Sequence, residues 1–185
     1  MTSKHRFQAL KVKERRDWLI QSLRTYLLPA LINRGFEVVP PETRGPVDRE
    51  FLLIFPSWGR MIRARESRVD LFEIQLAPYR RAAFRINAGV APEEGITTLT
   101  GHWPAEDVLV HWLNEFLEMY ACPRWRIWFS GRRLLYRSST QGDYDKLAIK
   151  VAGLVPELDL ALREGKLGPH MRRVMIARPA PISHT

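Results

Sequence analysis

Two stretches, 69–77 and 82–90, alternate apolar and polar residues and are separated by a short connection around Pro78, Tyr79 and Arg80. This pattern constrains the chain more than any other. Alternation puts successive side chains on opposite faces of a strand, and a strand pair must bury one of those faces. In the first stretch Phe72, Ile74 and Leu76 share a face, while Leu71, Glu73 and Gln75 share the other. In the second, Phe84, Ile86 and Ala88 oppose Arg85, Asn87 and Gly89. The spacing predicts an antiparallel hairpin pairing 76 with 82, 74 with 84 and 72 with 86, which sets Glu73 opposite Arg85 as a favourable pair. A one-residue slip would turn Phe84 and Ile86 to water, so the facing is firmly specified.

The rest of the chain supplies layers for this pair. Over 13–34, Trp18, Leu19, Leu23, Tyr26, Leu27, Ala30 and Leu31 recur at helical spacing, and Pro29 predicts a kink in the last turns. Gly35 stands where a left-handed residue ends a helix, with Phe36 placed to fold back on Leu31. A short strand at 35–39 stops at Pro40 and Pro41, and 40–48 reads as loop. Residues 51–55 fit either a short helix capped by Asp48 or a buried strand, ended by Pro56. Residues 60–65 read as a further strand. After a loop at 91–103, Pro104 opens an expected helix through Val108, Trp112, Phe116 and Met119, closed by Cys122 and Pro123. Residues 124–135 alternate again, with a turn near Gly131. Asp143 is the expected cap of a helix carrying Leu147, Ala148, Val151, Leu154, Leu158 and Leu162, restarted at Pro156 and closed by Gly165. The expectation is a single α+β domain over 1–178, with a disordered tail at 179–185. Its core is an antiparallel sheet of four to six strands, with the N-terminal and C-terminal helices packed on one face.

Composition narrows the chemistry. One cysteine, Cys122, excludes an internal disulfide framework and a cysteine-rich metal site, which suggests a reducing, cytoplasmic setting. No apolar run reaches the ~20 residues of a membrane helix, so no membrane partner is expected. The net charge of +9 is unevenly spread. Residues 1–24 carry seven Lys/Arg against two acids, 121–140 carry five arginines and no acid, and 91–120 carry six acids and no Lys/Arg. These basic segments are either a polyanion footprint or ordinary solvated surface.

No phosphate-cradling glycine loop, nucleophile elbow or HExxH helix is present, the five histidines lack ligand spacing, and no cofactor or metal is implied. The pair Asp143 and Asp145 reads as helix capping. Two constellations remain. Arg63, Arg65, Glu73, Gln75, Arg85 and Asn87 are expected on one polar sheet face, where forked arginines and amides suit an anion or a peptide. The alternative is a solvated sheet face. The second constellation interleaves Arg124, Arg126, Arg132 and Arg133 with Trp128, which suits base stacking and phosphate contact, although Trp125, Ile127 and Phe129 read equally as core.

The pair Gly35 and Phe36 after a helix, FEIQL at 72–76 and FRINAGV at 84–90 resemble the bacterial domain of unknown function 4304 family, over about residues 15–91. The resemblance implies an α+β fold and carries over no catalytic residue. The leading functional expectation is a non-enzymatic binding module that engages a protein or peptide through the polar face or edge of the sheet. Nucleic-acid binding through residues 1–24, 124–137 and 166–178 is the alternative. An enzyme acting on an anionic substrate is a further one, and requires Arg63, Arg65, Arg85, Glu73 and Gln75 to converge on one cleft.

Overall fold

The expected first helix starts earlier than its apolar stripe and is interrupted where its proline falls. In the computed structural model, residues 3–39, 56–78, 81–98, 101–120, 128–130 and 139–176 are described, with side chains from residue 13 onward. Helix α1 runs Ser3–Ser22, a π-helical turn follows at Leu23–Leu27, and α2 runs Leu28–Ile32 with Pro29 in its first turn. Pro29 has no N–H and its ring would crowd the carbonyl of Thr25. Widening the turn, so that the Leu28 N–H reaches the Leu23 carbonyl, accommodates the ring without breaking the rod. Leu19, Leu23, Leu27 and Leu31 stay fully buried through the interruption, each worth about 1.5–3 kcal/mol relative to exposure. Tyr26, expected in that stripe, faces outward. Gly35, at φ 80°, ends the helix: its N–H bonds the Ile32 carbonyl (2.9 Å) and the Phe36 N–H bonds the Leu31 carbonyl (3.2 Å), closing the expected Schellman turn.

The fold is α+β. Strands β1 (Glu37–Val38), β2 (Arg60–Arg65), β3 (Arg68–Leu76), β4 (Ala83–Pro92), β7 (Glu115–Met119) and β9 (Met171–Met175) form an antiparallel sheet in the order β1-β2-β3-β4-β7-β9. Strand β8 (Phe129–Ser130) also pairs with β4, making seven strands among the described residues. A small hairpin of β5 (Ile96–Thr98) and β6 (Gly101–Trp103) stands where a loop was expected. Helices α3 (Gln141–Ala152) and α4 (Val155–Glu164) join α1 and α2 on one sheet face. Phe72, Ile74, Leu76, Phe84 and Ile86 pack there with Leu19, Leu23, Tyr144, Val151 and Leu158. Thr140 caps α3 in place of Asp143, which lies at the third helical position and accepts the Thr140 N–H at 2.9 Å. Asp145 is bonded by the Ser22 hydroxyl at 2.7 Å. Pro156 in the first turn of α4 and Gly165 at φ 70° bound that helix as expected.

Two further expectations are corrected. The β3–β4 register pairs Leu76 with Phe84, Ile74 with Ile86, Gln75 with Arg85 and Glu73 with Asn87, two residues from the expected one. Both registers keep the same faces inward, so periodicity cannot separate them. The observed one lets the Ala77 N–H bond the Ala83 carbonyl at 2.8 Å, so the turn opens at Pro78, which has no N–H to place. It also sets Phe72 against the small Ala88 and stacks Phe84 on Phe129 at 5.1 Å.

The second correction concerns the helix expected over 104–122: its described part, 104–120, is not an α-helix. Short 3₁₀ turns at Ala105–Asp107 and Val110–Trp112 lead into β7. Val108, Leu109, Val110 and Leu113 are all buried, more apolar positions than one helical stripe presents. Val108, Val110 and Leu113 lie over the second sheet face, against Val69, Leu71 and Ala91. Gly89 permits this close approach, since a Cβ there would stand 2.3 Å from Leu113 Cδ1. Residues 51–55, Cys122, most of 124–135 and the 179–185 tail lie outside the described residues.

Candidate functional site

The six residues expected on one polar face are divided between two. The β2–β3 turn pairs Arg65 with Arg68, which sets Arg63 opposite Asp70 and Arg60 opposite Glu73. Directly opposed residues share a face, so Arg63 and Arg65 fall on the helical side, while Glu73, Gln75, Arg85 and Asn87 fall on the other. The cleft required for an enzyme built on all of them is not formed.

On the helical side, Asp70 is fully buried at the end of the apolar row of β3. Arg63 donates to Asp70 Oδ2 from Nε (2.9 Å) and Nη2 (2.6 Å), and from Nη1 to Asp159 Oδ1 of α4 (2.6 Å) and the Arg34 carbonyl (3.0 Å). Arg65 donates to Asp70 Oδ1 and to the Leu162 carbonyl, and Arg34 reaches Asp159 Oδ2 at 2.8 Å. Arg163 completes the set on Asp159. Two carboxylates thus face four guanidiniums. The surplus positive charge meets carbonyls at the C-terminal ends of α2 and α4, where the helix dipoles are negative. Burial opposes charge on Arg63, but its bonds to Asp159 and Asp70 outweigh it and hold the guanidinium above its ordinary value. Burial would likewise raise Asp159, and its bonds with Arg63 and Arg163 bring that carboxyl below the ordinary range instead. This cluster fastens the helices to the sheet.

On the opposite face, Arg60, Glu73, Asn87, Glu118 and Arg172 are consecutive cross-strand neighbours on β2, β3, β4, β7 and β9. The row reads cation, anion, amide, anion, cation. Glu73 Oε1 accepts the Val110 N–H (3.0 Å) and lies 3.7 Å from Arg60 Nε. Arg60 Nη2 donates to the carbonyls of Glu106 (3.2 Å) and Val108 (3.0 Å). The buried charges at this end therefore hold the backbone of the covering segment, taking the place of helical hydrogen bonds. Burial lowers Arg60 despite Glu73. Asp107 nearby is pushed up, chiefly by burial and then by Glu106.

The other end of the row is open. Glu118 Oε2 takes two bonds from Arg172, which is half-exposed, and Glu118 Oε1 lies 3.8 Å from Arg85 Nη1. Arg85 donates to Gln75 and lies over the Trp128 ring, 5.4 Å from its centroid. Burial lowers Arg85, with the Arg172 charge adding to the effect against Glu118 and Glu73. At the centre, Asn87 is only 5% exposed and its Oδ1 has no hydrogen-bond partner among the described residues. Of the nucleic-acid set, Trp128 is thus placed beside Arg85, whereas Arg124, Arg126, Arg132 and Arg133 lie outside the described residues. Sequence reasoning missed Arg60, Asp70, Glu118 and Arg172. Only Asp70 carried a local signal, a charge in line with Phe72, Ile74 and Leu76.

His111 borders this site and is lowered below its ordinary 6.5, first by burial and then by Arg85 and Arg60. Its folded form resists protonation, so below the ordinary value the unfolded chain binds the extra proton. The stability it contributes is complete above pH 6.5 and declines as pH falls from there toward the lowered folded value. In urea titrations between pH 8 and 5, His111→Gln is expected to flatten that decline. An unchanged slope would show that His111 does not cause it.

Comparisons with protein-family models, curated proteins and solved structures return no match. Among the described residues, no group of three or more His, Cys, Asp or Glu is placed to hold a metal ion, and no helix is long and apolar enough to cross a membrane.

Proposed function

We propose that the chain is a binding module that engages an acidic peptide or protein segment through the open corner of the polar face, formed by Gln75, Arg85, Asn87, Trp128 and Arg172. The observation that carries this reading is the part-exposed Arg85, lying over the Trp128 ring beside the half-exposed Arg172, with the buried Asn87 behind them. An acidic peptide supplies carboxylates to the part-exposed Arg85 and to the outer edge of Arg172, whose other edge is held by Glu118. The carboxylates in the row are already engaged, Glu73 by the Val110 N–H and Glu118 by Arg172, which favours recognition over acid–base chemistry. A cytoplasmic setting and kinship with the domain of unknown function 4304 family belong to the same proposal. The first rests on the single cysteine, the second on the motif residues Gly35, Phe36, Gln75 and Asn87.

A peptide array tests it. Glu- and Asp-rich peptides are expected to bind, and Arg85→Ala to weaken them about tenfold or more while circular dichroism stays unchanged, given about 1.5–3 kcal/mol for a hydrogen bond to a charged group. Equal binding by Arg85→Ala, or no preference for acidic peptides, would remove this reading.

A further inference from the structure

A cavity of about 480 Å³ opens where the β3–β4 turn meets α1. Arg15 and Arg81 line it, together with Trp128, Tyr144 and the hydroxyl residues Ser130 and Ser139; Ala77, Pro78, Ala82 and Ala83 line it as well. Among the described residues no acid lines the cavity to neutralise Arg15 and Arg81 within it. The volume lies in the range of about 300–1,000 Å³ that encloses a small ligand and is too small for a folded partner. The guanidinium carbon of Arg85 lies over Trp128, 5.4 Å from the ring centroid. A cation on one side of the ring favours that orientation and leaves the ring as a stacking surface, which limits what a ligand loses on ordering it. An aromatic platform, two guanidinium forks and two hydroxyls together match a ligand with one planar ring and one multiply charged oxyanion.

We propose that this cavity binds a mononucleotide, with the base on Trp128 and the phosphate between Arg15 and Arg81. It is a second site, sharing only Trp128 with the peptide corner. Isothermal titration of the full chain with AMP, adenosine and inorganic phosphate tests it at about 50 mM salt, with a single-stranded oligonucleotide as a fourth arm. AMP is expected to bind saturably and more tightly than adenosine or phosphate, since each of those offers only half of the match. Arg15→Ala and Arg81→Ala should each weaken AMP on the order of tenfold, the scale of a charge-assisted contact. Trp128→Leu should weaken AMP and adenosine alike, but not phosphate. Arg81 is exposed and Arg15 half-buried, so both alanine variants are expected to fold, as circular dichroism will check. The proposal is overturned by AMP binding no better than phosphate, or by AMP affinity unchanged in the double Arg15→Ala/Arg81→Ala variant. It is overturned equally by an oligonucleotide that binds where AMP does not. Failure here leaves the Arg85-dependent peptide result untouched, and the reverse also holds.

Discussion

Asp70→Ala is expected to destabilise the fold by about 3–5 kcal/mol, the range for breaking a buried ion pair by removing one partner. Asp70 is fully buried and takes both Nε and Nη2 of Arg63 as well as a bond from Arg65. Without it, Arg63 stays in a site with little access to water and only Asp159 to balance it. Arg65 is more exposed and recovers part of its hydration. In a domain of this size each kcal/mol shifts the melting temperature by about 2–4 °C, so a drop of roughly 6–20 °C is expected by calorimetry. The informative control removes the whole buried set. Arg63→Met, Asp70→Leu and Asp159→Leu together remove the three most buried charges and leave Arg34, Arg65 and Arg163, each more exposed, to recover part of their hydration. Hydrophobic replacement of such a buried set is often neutral. The triple variant should therefore be more stable than Asp70→Ala alone. If Asp70→Ala costs less than about 1 kcal/mol, water reaches Arg63 and the cluster is not the fastening inferred for it.

What could be read from the sequence here follows from the range of each signal. Which residues of β3 and β4 face the helices was legible, because alternation is local and Phe72, Ile74, Phe84 and Ile86 declare it. The pairing of those strands was not, since registers differing by two residues keep the same faces. The position of Pro78 and the stacking of Phe84 on Phe129 distinguish them only in three dimensions. The division of Arg63 and Arg65 from Glu73 has a similar cause. The two-residue turn at Glu66 and Ser67 pairs odd positions of β2 with even positions of β3, so facing across the turn depends on its length. The segment 104–122 misled for a different reason. Val108, Trp112, Phe116 and Met119 have helical spacing, but the hydrogen-bond partners that draw this backbone off the helix are Arg60 and Glu73, more than thirty residues away. The polar row was illegible for the same reason, since its members come from five separate strands.

Glu73 is where fold and proposed function can be separated by experiment. Glu73→Ala should cost about 3–5 kcal/mol, because it leaves the Arg60 guanidinium buried without its carboxylate and the Val110 N–H without its acceptor. Glu73→Gln keeps an acceptor for Val110 and loses only the charge, so its cost should be smaller, about 1–3 kcal/mol. The loss should begin locally, since Glu73 and Arg60 hold the segment around Val110 by its backbone rather than through a helix of its own. Hydrogen exchange at Val110 and its neighbours is therefore expected to quicken in Glu73→Ala before the α1 core is affected, as sub-global opening would predict. Uniform acceleration over the chain would mean instead that cover and sheet unfold as one unit. Acidic-peptide binding adds the discriminating arm. If Arg85 and Asn87 form the contact surface and Glu73 only positions the cover beside them, Glu73→Gln should bind peptide close to the parent level while Arg85→Ala does not. Equal loss in both would place Glu73 in the contact surface and extend the recognised region toward Arg60.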